Sequence, residues 1–243
     1  MSGITFNSVN SSVHGLIVKA IRRQILPENG DTYIQISGRN GSYLFPGKLK
    51  DYIAEVDCVL SQSSYEDLQL KIHDIAAWLH TTERESLIFG DETDKYYMAK
   101  QEGSIDPEQI ATLETFTVRF RYEPGAYGAE VQASFAADAV TVTNTGTHEA
   151  LPVFNATFTA VATEWKVTLG TKYVRVVHNF VIGDTLEVNC VTGAVLINGA
   201  RAMDKLDWQN SDLELTLSPG ENTLSILPVS VCTAIITFNP RWL

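Results

Sequence analysis

Cysteine is scarce in this chain, and the few cysteines that occur are far apart. The sequence has three cysteines in 243 residues, and none of them stands in a CxxC spacing. An odd and sparse set of this kind lacks the paired spacing of a disulfide framework or a zinc site. Cys58, Cys190 and Cys232 each fall in a run that alternates between apolar and polar residues. We therefore expect all three to be small side chains within hydrophobic cores.

Charged residues are also few, and positive charge never clusters. Asp, Glu, Lys and Arg make up 19% of the chain, apolar residues make up 44%, and the net charge is −11. This composition excludes a disordered chain and favours well-filled cores. Because no run of Lys and Arg is long enough to follow a phosphate backbone, the chain is not expected to bind nucleic acid on its own. The evenly spread acidic residues fit a soluble surface, and they fit equally well the lining of a channel that does not hold DNA.

Long apolar runs are missing. No stretch approaches the roughly 20 apolar residues that a membrane span needs. The opening residues, MSGITFNSVNSSVHG, lack the basic and apolar regions of a secretory signal. The sequence therefore predicts a protein that is made in a cytosol, stays soluble and does not enter a membrane.

Motifs for catalysis, metals and cofactors are missing as well. The five histidines, at positions 14, 73, 80, 148 and 178, are scattered, and no HExxH, GxSxG, P-loop or GxGxxG pattern occurs. Asp91, Glu92 and Asp94 are close in sequence but lack the pattern of an EF-hand, so a hydrated loop is favoured over a calcium site. We expect no catalytic residue, no metal site and no cofactor.

One cluster of aromatic and acidic residues leaves two alternatives open. Trp208 stands among Asp204, Asp207 and Asp212. This arrangement fits either a sugar-stacking ring beside an acid pair or an ordinary surface segment. The structural interpretation is favoured, and Trp208 is the one candidate for sugar stacking. Trp165 lies in a predicted strand and is expected in the core.

Residues 63–80, SSYEDLQLKIHDIAAWLH, form the only long segment with helical periodicity. Ser63 followed by Glu66 fits a capping box at the start of a helix over residues 64–80. Apolar side chains at helical spacing predict one buried stripe. Its members are Leu68, Ile72, Ile75, Ala76 and Leu79.

Strands are predicted on both sides of this helix, after a polar opening over residues 6–15. Residues 52–60 and 112–122 alternate most clearly and place one apolar set on a single face of each strand. These sets are Tyr52, Ala54, Val56, Cys58 and Leu60 in the first strand, and Phe116, Val118, Phe120 and Tyr122 in the second. We expect the helix to pack Leu68, Ile72 and Leu79 against a sheet that contains both strands.

The second half of the chain has strand patterns and no predicted helix. Glu123-Pro124-Gly125 ends the preceding strand, and short alternating segments separated by turns then indicate an antiparallel β-sandwich. These segments are residues 139–144, 153–161, 164–169, 172–182, 185–191, 194–198, 213–217, 223–227 and 231–238. We expect a mainly β protein of two domains. Residues 1–130 would form a β-barrel-like or split-sheet domain with the packed helix, and residues 131–243 the sandwich.

The order of features along the whole chain resembles the distal tail protein family of long, flexible-tailed bacteriophages, the siphophages. In the first half the resemblance is carried by FNSVNSSVHGLIVKAIRR, ISGRNGSY, DLQLKIHDIAAWL, LIFGDETDKYYMAK, GSID and TLETFTVRFRYEPGAYG. In the second half it is carried by NTGTHEALPVF, GDTLEVNCVTGAVLING, LSPGENTLSI and ITFNPRWL. No single motif is specific, but the ordered set is. The chain is similar to the short form of the family, which has no inserted carbohydrate-binding module.

The resemblance implies an N-terminal domain that closes into a six-membered ring and a galectin-like C-terminal sandwich. It implies a hub in the virion, at the tail tip, assembled in the cytoplasm of the host bacterium. The implied partners are further copies of the chain, the tail-tube protein, tail-tip or tail-associated proteins, and receptor-binding proteins. One ring and two stacked rings both remain open, and the family supplies no residue-level active site.

Within this expectation, residues 39–46 are the candidate for a segment that reaches a neighbouring subunit. The segment is too rich in Gly and Pro for a central strand, and its aromatic side chains would otherwise be left in a loop. We predict Arg39, Asn40, Tyr43 and Phe45 as interface residues. Two other classes stay open: a carbohydrate-binding module that adheres to the host cell wall, and a cell-wall hydrolase.

Overall fold

The computed structural model describes residues 3–110, 112–135 and 138–243, and it shows a mainly β protein with a single α-helix in that part of the chain. The predicted fold class is confirmed. The chain divides into two compact units, one that ends at Ala126 and one that begins at Tyr127. The division lies directly after Glu123-Pro124-Gly125, four residues before the boundary expected at 130.

The first unit is built from ten strands and the helix. The strands are β1 (Ile4–Phe6), β2 (Val9–Asn10), β3 (Ile17–Arg23), β4 (Thr32–Gln35), β5 (Ser42–Phe45), β6 (Tyr52–Ser61), β7 (Glu85–Phe89), β8 (Tyr97–Gln101), β9 (Glu108–Ile110) and β10 (Leu113–Tyr122). The helix α1 is Tyr65–Leu79. Eight strands form one sheet in the order β2-β1-β7-β8-β10-β6-β3, with β9 beside β10, while β4 and β5 form a separate pair.

The two longest strands, β6 and β10, form the centre of this sheet. They pair antiparallel over their full length, from Leu113 opposite Ser61 to Tyr122 opposite Tyr52. The predicted alternation is confirmed in both, because the apolar set of each strand is buried and the intervening side chains are more exposed. Since successive side chains point to opposite faces of a strand, this pattern places one core against the buried face of the sheet.

The polar opening predicted over residues 6–15 is wrong as a description of structure. Strands β1 and β2 and a short 3-10 helix, Ser11–His14, occupy this segment. Phe6 is fully buried, and the buried hydroxyl of Ser11 accepts a hydrogen bond from the Ile4 amide at 3.3 Å. Strand β1 is too short for its alternation to stand out in sequence, and its pairing with β7 is a long-range contact.

The cap of the helix lies one residue later than predicted. Ser64, and not Ser63, is the N-cap, and its Oγ accepts from the Asp67 amide at 3.1 Å. The hydroxyl of Ser64 also donates to the Asp67 carboxylate at 2.7 Å. Asp67 thus stands three residues after the cap, the place predicted for Glu66, and its carboxylate accepts from the hydroxyls of Ser63 and Ser64.

The buried face of α1 differs from the predicted stripe at three positions. Leu68, Ile75 and Leu79 are buried in the same core cluster as Val56, Phe116 and Phe120, as predicted, but Ile72 is only half-buried and Ala76 is exposed. Trp78, which the stripe omitted, is buried instead. Its indole Nε1 donates to the Phe6 carbonyl at 2.9 Å. Because β1 supplies this carbonyl, the face of α1 that packs on the core includes Trp78 and is turned relative to the predicted stripe.

The second unit is an antiparallel sandwich of two sheets. Its strands are β12 (Val131–Ser134), β13 (Ala139–Asn144), β14 (Val153–Phe158), β15 (Ala162–Leu169), β16 (Lys172–Phe180), β17 (Thr185–Asn189), β18 (Ala194–Ile197), β19 (Ala200–Arg201), β20 (Gly220–Leu227), β21 (Cys232–Phe238) and β22 (Arg241–Trp242). The two-residue strand β11 (Ala126–Tyr127) spans the division between the units. One sheet has the order β12-β21-β14-β17-β18-β19 and the other β13-β20-β15-β16. Both sheets contribute to one buried cluster that includes Phe154 and Trp165, so the prediction of Trp165 in the core is confirmed.

Two features of the sandwich were predicted wrongly. Residues 213–217 are not a strand, although Leu215 and Leu217 are fully buried. Leu217 instead makes a single bridge, donating to the Ala150 carbonyl at 2.8 Å. Alternation reports which side chains are buried, and it does not show that the backbone joins a ladder. Strand β12 was not predicted, because its pairing with β21 is decided by residues about 100 positions away.

Candidate functional site

The predicted interface residues lie on a hairpin that we call the arm, residues 28–50. Its base is held by an antiparallel bridge between Asn29 and Leu49 and by the Gly47 amide, which donates to the Asp31 carboxylate at 2.8 Å. Gly47 is required there, since a Cβ at this position would overlap the backbone of Gly30. The arm is therefore a built feature of the unit, with a defined base, and not an irregular loop.

The two strands of the arm, β4 and β5, pair with each other and with no other strand in the described chain. Ile34 stands opposite Tyr43, and Tyr33 stands opposite Leu44. Successive side chains point to opposite faces, so both faces of this ribbon carry large apolar groups. A two-stranded ribbon alone has no third layer that would bury them.

The apolar side chains of the arm are exposed in the single subunit. Their exposed fractions run from 43% to 63%, and the set consists of Tyr33, Ile34, Ile36, Tyr43, Leu44 and Phe45. Close to the base, Ile25 is 98% exposed and Leu26 66%. Contiguous apolar exposure of this kind is rare on monomers and marks interaction sites.

The tip of the arm brings two of the predicted interface residues together. The Arg39 guanidinium lies over the Tyr43 ring at 4.1 Å from its centroid, a cation–π contact. Asn40 is exposed beside Arg39, and Phe45 lies at the far end of β5, opposite Thr32. The four predicted residues thus share the arm, but Phe45 is not at the tip.

The candidate sugar-stacking residue, Trp208, lies on the surface of the sandwich. Trp208 is 62% exposed, and its Nε1 donates to the Met203 carbonyl at 3.0 Å. The three neighbouring carboxylates do not form an acid pair, because each has a cation of its own. Asp204 pairs with Lys205, Asp207 with Arg175, and Asp212 with Lys172.

The acidic loop at residues 91–94 is also held by ion pairs. Arg23 contacts the carboxylates of Asp91 at 2.6 Å and Glu92 at 3.2 Å, and Lys95 contacts Glu92 at 2.9 Å. Within residues 3–110, 112–135 and 138–243, no group of three or more His, Cys, Asp or Glu residues is placed to hold a metal ion.

The three cysteines are free thiols. Cys58 and Cys190 are buried, and burial raises the pKa of each thiol to about 12. Cys232 is half-buried, and burial raises the pKa of its thiol as well. A thiolate is the reactive form of cysteine, so these residues are core side chains rather than nucleophiles.

One buried acid was missed by the sequence reasoning. Glu114 lies on β10, and its position has the same parity as the buried set that begins at Phe116. Its side chain is only 2% exposed, and its Oε2 has no hydrogen-bond partner among the described residues. Burial raises the pKa of the Glu114 carboxyl. The sequence did contain a signal for this buried acid. Glu114 is a charged residue at a position of β10 where the alternating pattern calls for an apolar one.

None of the described helices is both long enough and apolar enough to span a membrane.

Two family models match the chain, one for each unit. Residues 8–122 match the phage tail protein RIFT-related domain, and residues 145–242 match the C-terminal domain of siphovirus-type tail components. A chain that carries these two domains in this order is a structural component of a siphophage tail.

Similar proteins and solved structures show which kind of siphophage tail component the chain resembles. The chain is 27% identical over 195 residues to the distal tail protein of Bacillus phage SPP1, covering 77% of this chain and 76% of that protein. The crystal structure of the SPP1 Dit protein, described as a paradigm of hub adsorption apparatus in phages that infect Gram-positive bacteria, has the same fold, with a TM-score of 0.84, 20% identity and 100% of both chains covered. A chain of the phage P2 baseplate is more distant, at 8% identity and a TM-score of 0.48 over 91% of this chain and 90% of that one. The chain belongs to the distal tail protein family, as its sequence resemblance indicated.

Proposed function

We propose that this tail component is an oligomeric hub, a homohexameric ring at the distal end of the tail tube. The observation that carries the proposal is the arm, which presents apolar side chains on both faces that no described layer of its own chain covers. Burial of these side chains against a neighbouring subunit would remove a large apolar area from water and so drive association.

An arm that docks on a different surface of a neighbouring subunit fits either a reciprocal exchange in a two-fold dimer or a heterologous, head-to-tail contact. The ring that the family resemblance implies favours the head-to-tail contact. Such contacts repeat head to tail and close into a ring when the rotation permits. A single ring and a pair of stacked rings are both compatible with this contact.

The proposed partners follow from the place of a hub. The ring would contact the tail-tube protein on one side and tail-tip or tail-associated proteins on the other, and receptor-binding proteins would attach through them. We place it in the virion, at the tail tip, after assembly in the cytoplasm of the host bacterium. This proposal is supported by membership of the distal tail protein family and by the role of the SPP1 Dit protein as a hub.

We further propose that the chain has no catalytic activity of its own. Its relatives are structural tail proteins, and the acids around Trp208 and in the 91–94 loop are occupied by cations of the chain itself. The sugar-binding alternative has less support. It rests on the single ring of Trp208, and the Nε1 of this ring already donates a hydrogen bond to the Met203 carbonyl.

The proposal is tested by light scattering behind size exclusion at several protein concentrations. The wild-type chain should have the mass of a hexamer or of two hexamers. Replacement of Tyr43 and Phe45 together by Ser should shift the mass towards the monomer. The matched control is Tyr65→Ser, which removes an exposed aromatic ring outside the arm and should leave the mass unchanged. A monomeric wild type at tens of micromolar, or a variant arm with unchanged mass, would count against the hub.

A further inference from the structure

A small cavity lies between α1 and β10, on the side of the first unit where Glu114 is buried. Its volume is about 130 Å³, and its walls are apolar, formed by Ile72, Leu79, Ile105 and Phe116 among others. A cavity of roughly 150 Å³ accommodates one benzene molecule. This cavity therefore has the size of a single large side chain.

Glu114 is the one acid among the described lining residues of this cavity, and no described cation lies close enough to affect its pKa. Burial raises the pKa of the Glu114 carboxyl, and no described charge lowers it again. Burial of a carboxylate without a partner opposes folding. A buried acid destabilises the folded subunit. Its presence at the wall of a cavity is explained if a partner supplies the cation that neutralises it.

The arm carries the complementary chemistry. From Thr32 to Phe45 the only charged residue is Arg39, and from residue 32 to residue 50 the chain has three cations and no acid, although the net charge of the whole chain is −11. Arg39 is exposed at the tip. An arginine side chain covers apolar surface with its methylene stem while its guanidinium pairs with a carboxylate.

The arm and the cavity lie at opposite ends of the same strands. The arm leads into β6 at Tyr52, whereas Glu114 stands opposite Leu60 near the other end of β6. At about 3.3 Å per residue these ends are roughly 26 Å apart. The exposure of the arm on both faces shows that it does not lie on the sheet of its own subunit.

We propose that the cavity between α1 and β10 is the receiving site for the arm of a second copy of this chain, with the Arg39 guanidinium of one subunit paired to the Glu114 carboxylate of the next. The inference rests on the proposed ring and names the surfaces that meet in it. Each subunit gives one arm and receives one arm, at opposite ends of its sheet, which is the geometry that a head-to-tail ring requires.

A cross-link tests the placement directly. In the double variant Asn40→Cys with Ala76→Cys, the first cysteine lies at the tip of the arm and the second on the exposed edge of the cavity. Mild oxidation should give a ladder of covalent oligomers up to the hexamer on a non-reducing gel. The control pairs Asn40→Cys with Asp94→Cys, an exposed loop position away from the cavity, and should give no ladder. Equal ladders from both pairs, or none from either, would overturn the placement.

A double-mutant cycle tests the ion pair. Glu114→Gln and Arg39→Gln should each raise the protein concentration at which the ring dissociates by at least tenfold, and the double variant should be no worse than either single one, because the two residues act through one contact. Glu108→Gln removes an exposed carboxylate from the adjacent strand β9 and should change nothing.

The outcomes separate this inference from the hub itself. If the Tyr43 and Phe45 variant dissociates but the Glu114 and Arg39 effects are absent or simply add, the hub stands and the receiving site is wrong. If the wild type is a monomer, both are wrong.

Discussion

At the scale of single residues, Glu114 is the position where the sequence departs most clearly from what the fold alone would select. The other buried side chains of β10 are apolar or aromatic, and this one is an acid with an unpartnered oxygen. The substitution Glu114→Gln keeps the shape of the side chain and removes the charge. The effect of this substitution on the melting temperature of the subunit can therefore be measured apart from its effect on the dissociation of the ring.

We predict that Glu114→Gln stabilises the dilute, monomeric subunit near neutral pH. Burial holds the pKa of this carboxyl in the folded chain above its unfolded value. As pH rises past the ordinary glutamate pKa of about 4.3, the unfolded chain releases its proton first, so the charge opposes folding at neutral pH but not in acid. The variant should melt at a higher temperature than wild type near pH 7 and at the same temperature near pH 3.5.

The matched control for this pH profile is Glu108→Gln, whose exposed carboxylate should give no such difference. A wild type that melts at the same temperature as the Glu114 variant at both pH values would show that Glu114 is already compensated within the subunit.

At the scale of elements, α1 stabilises the first unit through a face that is rotated from the predicted one. Leu68 is fully buried, whereas Ile72 is half-buried at the edge of the cavity. The two residues have equal volume and differ mainly in burial. The cost of truncating each one therefore reports which side of the helix faces the core.

We predict that Leu68→Ala lowers the free energy of unfolding by about 2–5 kcal/mol, the usual range for a large-to-small change in a packed core. Ile72→Ala should cost clearly less, and Lys71→Ala on the solvent side should have little effect. Chemical denaturation followed by circular dichroism measures all three. Equal losses from Leu68 and Ile72 would restore the stripe first predicted from the sequence.

At the scale of the whole molecule, each of the two units has a hydrophobic cluster of its own. The second unit includes residues that precede the predicted boundary at 131. The Gly128 amide donates to the Pro240 carbonyl at 2.8 Å, and the Asn239 side chain donates to the Gly128 carbonyl at 3.0 Å. These bonds tie the first residues of the unit to its last.

We predict that a fragment of residues 127–243 folds alone, gives a β-type circular dichroism spectrum and is monomeric, because the arm is absent. A fragment of residues 131–243 should melt at a lower temperature, since it lacks the Gly128 hydrogen bonds. If the longer fragment is unfolded while the full chain is stable, the two-domain interpretation is wrong.

We also predict that the full chain neither binds sugars nor degrades cell walls. Glycan-array binding that is lost in Trp208→Ala would move the sandwich into the adhesion class. Clearing of purified host cell wall by the wild-type chain would support the cell-wall hydrolase instead. Co-elution with a tail-tube or tail-tip protein is the result expected of the hub.

The sequence alone determined those features that depend on neighbours along the chain. Alternation in β6 and β10 identified their buried faces, because side chains of a strand point to opposite sides whatever it pairs with. Helical spacing located α1, and the Gly-rich, aromatic stretch around Tyr43 was singled out as an arm. The ordered motifs were sufficient to indicate the family.

The tertiary structure alone decided which segments meet. Trp78 is buried because β1 supplies the Phe6 carbonyl, residues 213–217 are buried without a ladder, and β12 exists because β21 lies beside it. Glu114 could be recognised in the sequence as a charged residue on an apolar face. That its Oε2 has no partner among the described residues, and that a cavity lies beside it, is visible only in three dimensions. The physical reason is the same in each case: pairing and burial are contacts between residues far apart in sequence, and local patterns carry no information about the partner.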